Sequence, residues 1–94
     1  MEPFEQAFRL KAKIQRERLH FVKSELALAS TFLDFAKVTR RSDTRERNVE
    51  NARKAYDQVA HVLAGEFDCS DEERADLERA LARLKARLNE ETYA

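Results

Sequence analysis

The sequence holds almost nothing with which to build turns. Gly65 and Pro3 are the only residues of their kinds in 94. A sheet protein needs a supply of such residues for its hairpins, so an all-β or mixed fold is not expected. Cysteine is nearly absent as well. Cys69 stands alone, which excludes an internal disulfide and points to a reducing compartment, with the cytoplasm as the expected location. Long apolar runs are also missing. Uncharged stretches such as Leu26–Leu33 are far shorter than the ~20 residues that cross a bilayer. Lys11, Lys13, Arg16 and Arg18 interrupt any apolar segment that could act as a secretory signal. No membrane association is expected.

What the chain does hold is charge and helix formers. Charged residues are 38% of the sequence, and the formal net charge is zero. Residues 1–47 carry eleven Lys/Arg against seven Asp/Glu, a balance of +4, and residues 48–94 carry the reverse, −4. The basic residues cluster at Arg9–Arg18 and Lys37–Arg47, and the acidic ones at Glu66–Glu78. Such a chain can pair its halves within one molecule or between two. It lacks the overall positive charge that dominates non-specific nucleic-acid binding.

Apolar spacing divides the chain into three helices. Leu19, Val22, Leu26, Ala29, Leu33 and Ala36 recur in steps of three and four, with Phe21, Leu28, Phe32 and Phe35 beside them. So wide an apolar face belongs to a helix packed on two neighbours. With Pro3 in its first turn, this helix is expected over about 3–39, with a candidate bend at Arg16–Leu19. Asp43 and Glu46 have capping-box spacing ahead of a second helix, over 44–64, whose apolar face includes Ala52, Tyr56 and Val59. Gly65 is expected to end it in the left-handed conformation. Ser70 and Glu73 form a second capping box before a leucine seam, Leu77, Leu81, Leu84 and Leu88. That places the third helix over 71–90, with a fraying tail. The expected fold is an all-α, antiparallel three-helix bundle in a single domain, 1–94, with a core that includes Leu26, Leu33, Val59 and Leu81.

Length turns this reading into a statement about assembly. At ~1.5 Å per residue the first helix spans about 55 Å and the others roughly 30 Å each. The shorter two cover only its C-terminal half, so residues 1–18 project as an arm. Phe4, Phe8, Leu10 and Ile14 are then left without cover. Isolated helices are marginal in water, so a homodimer through this arm is expected, its basic residues facing the acidic cluster of the other copy. The alternative is an arm folded back as a fourth helix.

No constellation of catalytic residues is evident, and no enzyme, cofactor or resident metal is expected. Glu17 and His20 have the Glu-x-x-His spacing of di-iron bundles. Its second copy, at Gln58 and His61, has an amide where a carboxylate is needed, so solvated helix residues are the simpler reading. Cys69 lies in the turn between Asp68 and Asp71, just before the third helix, and a reactive thiol there is not the favoured reading. Arg40, Arg41, Arg45 and Arg47 are a candidate anion contact, and a nucleic-acid-associated regulatory role through this loop is the alternative function. Without interleaved aromatics, that role ranks below a protein partner.

Leu28, Ala29 and Phe32, followed by Ala52, Tyr56, Val59 and Ala60, resemble the small and aromatic positions of a single tetratricopeptide-repeat hairpin over residues 26–63. The three-helix layout is also similar to that of microtubule-interacting and trafficking domains. The tetratricopeptide resemblance implies a scaffold or adaptor that binds another protein.

Overall fold

The computed structural model describes residues 3–65 and 67–93, without the side chains of residues 92 and 93. Three helices follow one another: α1 (Pro3–Val38), α2 (Ser42–Ala64) and α3 (Asp71–Tyr93), and each packs on the other two. No strand occurs among the described residues. The architecture is the all-α three-helix bundle with a long first helix, and the molecule extends 59 × 22 × 17 Å.

α1 buries Val22, Leu26, Ala29, Leu33 and Ala36, a strict alternation of steps of four and three along one stripe. Against it α2 sets Ala52, Ala55 and Val59. Alanines on both helices let the axes approach closely, and α1–α2 is the largest contact in the molecule. α3 closes the core with Leu77, Leu84 and Leu88, while Leu81, expected inside, packs half-buried at its edge. The second apolar series of α1 divides: Phe32 leans on the core, whereas Phe21, Leu28 and Phe35 face solvent. α1 does pack on the two neighbours that its wide face foreshadows, but Phe21, Leu28 and Phe35 lie outside their cover.

The helix ends differ in how far they follow local rules. At α3, Glu73 N–H donates to Ser70 Oγ at 3.0 Å, and Ser70 N–H donates to Glu73 Oε1 at 3.0 Å. Both arms of the capping box are made. The bond from the Ser70 N–H, aided by the Ser70 side chain, holds the Glu73 carboxyl below its ordinary value.

At α2 the expected box does not form. The helix starts at Ser42, with Arg41 as a cap residue that makes no side-chain bond. Asp43 therefore lies inside the first turn. Its carboxylate accepts the Thr44 N–H at 2.9 Å and sits 3.4 Å from Arg41 Nη2. Its charge still complements the positive end of the helix.

Gly65 also departs from expectation. Its φ of −90° and ψ of −164° are extended, and its N–H donates to Val62 O at 3.3 Å. The chain leaves α2 extended because it must carry Phe67 into the core, where that ring is 5% exposed. Arg74 fixes this crossing: its guanidinium donates to Phe67 O at 2.9 Å and to Leu63 O at 3.4 Å.

α3 runs on to Tyr93, past the fraying tail expected from residue 89. The Glu91 side chain, 10% exposed, lies 3.5 Å from Arg45 Nη2 and ties the last turn of α3 to the first turn of α2.

Candidate functional site

α1 is unbroken from Pro3 to Val38, so neither the bend at Arg16–Leu19 nor a folded-back fourth helix forms. Cover on α1 ends where the α2–α3 connection crosses it. Gln15 Nε2 donates to Asp68 Oδ2 at 3.4 Å, and Phe8, Lys11, Ala12, Gln15 and Asp68 border a shallow hollow at this boundary. Every residue from Pro3 to Lys11 is exposed. Phe4 is 78% and Phe8 68% exposed.

The four apolar residues expected to form one interface occupy two faces. At ~100° per residue, Phe4 and Phe8 stand in the arc occupied further along by Val22, Leu26 and Leu33. They prolong the core stripe past the end of its cover. Leu10 and Ile14 lie about 80–160° round the helix from them. They begin a different line, continued by the exposed Phe21, Leu28 and Phe35. Sequence reasoning grouped the four by position in the chain. The same angular arithmetic, applied to the sequence, separates them.

The arm's charge has an acidic neighbour. Arg9, Lys11, Lys13, Arg16 and Arg18 are all exposed, and Asp68, Asp71, Glu72 and Asp76 are exposed at the α2–α3 connection and the start of α3. Glu66, expected in the same acidic cluster, lies outside the described residues.

The basic loop is less available than its sequence suggests. Arg41 faces Asp43 at 3.4 Å and Arg45 faces Glu91 at 3.5 Å, while Arg40 and Arg47 extend into solvent. Two of the four candidate anion contacts are thus already engaged with carboxylates.

Glu17, His20 and His61 are exposed, and the described residues hold no group of three or more His, Cys, Asp and Glu placed to bind a metal ion. Cys69 is half-buried. No helix among the described residues is long and apolar enough to cross a membrane. No family model, curated protein or solved structure matches the chain.

Proposed function

We propose that this chain is a non-enzymatic protein–protein interaction module that works as a homodimer through the N-terminal arm of α1. The observation that carries the reading is the pair Phe4 and Phe8, which continue the buried stripe of α1 beyond the point where α2 and α3 stop. A second arm, running antiparallel, supplies the missing cover and sets its own phenylalanines in the hollow between Phe8, Ala12, Gln15 and Asp68. It also brings Arg9 and Lys11 of one copy to Asp68, Asp71 and Glu72 of the other. Exposed ion pairs contribute only about 0–1 kcal/mol each, so charge sets the orientation. The rings provide the stability, at roughly 1.5–3 kcal/mol for each one fully buried.

The regulatory reading through Arg40–Arg47 ranks below this one, because no aromatic residue interleaves these arginines and the chain carries no net positive charge. Light scattering tests the proposal. The wild type is expected at twice 11.0 kDa, and Phe4→Asp/Phe8→Asp at 11.0 kDa with its helical bundle intact. A wild type that stays at 11.0 kDa at all concentrations would sink the idea.

A further inference from the structure

We draw no further inference here: the strongest candidate, the hollow that Glu46, Glu50 and Glu91 line between the start of α2 and the last turns of α3, is an acidic cluster whose one nearly buried carboxylate, Glu91, already faces Arg45 at 3.5 Å, so nothing in the structure points to a ligand there.

Discussion

Residues 22–36 and residues 3–15 of α1 lie on one continuous helix and share an apolar arc, yet the first stretch is sealed and the second is open. Val22, Ala29 and Ala36 are 0% exposed, whereas Phe4 and Phe8 are mostly in solvent. Neither helix propensity nor angular position separates them. What differs is what lies alongside: α2 and α3 meet at the connection that carries Phe67 and Asp68, and nothing among the described residues reaches further. A helix gains most of its stability from the face it buries, so the covered half holds the bundle while the open half gains no such support from the described residues.

The comparison is broken most severely at the end of the cover. Phe67→Ala removes the ring that plugs the α2–α3 crossing and is expected to cost about 3–5 kcal/mol. Denaturant unfolding measures it, and a cost below about 1 kcal/mol would mean that the crossing contributes little to the core. Within the covered half, Leu33→Ala is expected to cost roughly 2–5 kcal/mol. In dilute protein, where the arm has no partner, Phe4→Ala should leave the melting temperature unchanged. Equal effects at the two positions would erase the distinction.

Smaller changes sharpen the boundary without moving it. Ser70→Ala should cost about 1 kcal/mol through loss of the N-cap of α3, read by thermal melting. The same cap makes stability sensitive to acid. The Glu73 carboxyl titrates below its ordinary 4.5 in the folded protein, so its contribution is present above that pH. It is lost as pH falls through the lower, folded value, and Glu73→Gln should flatten that part of the acid-unfolding curve.

Gly65→Ala is the gentlest test. The added Cβ meets only His61 O and Val62 O, both at 3.8 Å, and the backbone is one that alanine adopts. Restricting the unfolded chain should therefore stabilise by about 0.4–1 kcal/mol, where a left-handed glycine would have lost stability.

Much of this was legible in the sequence for local reasons. Ser70 and Glu73 announce the start of α3 because a capping box involves four consecutive residues and nothing distant. Val22, Leu26 and Leu33 announce the core of α1 because helical spacing is also local. The start of α2 was misplaced because Asp43 has an alternative local partner in Thr44 and a cation nearby in Arg41. Gly65 was misread because its conformation is set by the need to bring Phe67 inward, a tertiary demand. Phe67 itself went unnoticed because it belongs to no periodic series; an aromatic in a short connection between two helices was the available signal. The exposure of Phe21, Leu28 and Phe35 could not be read from spacing, which shows that a face is apolar but not which chain covers it.

We propose that one half of α1 is held by its own chain and the other by a second copy. Amide hydrogen exchange across a dilution series tests it directly. The account predicts protection at residues 22–36 at every concentration, and protection at residues 3–15 that appears only when the protein is concentrated and disappears in Phe4→Asp/Phe8→Asp. Arm amides protected equally at all dilutions, or exchanging freely even in concentrated protein, would contradict it.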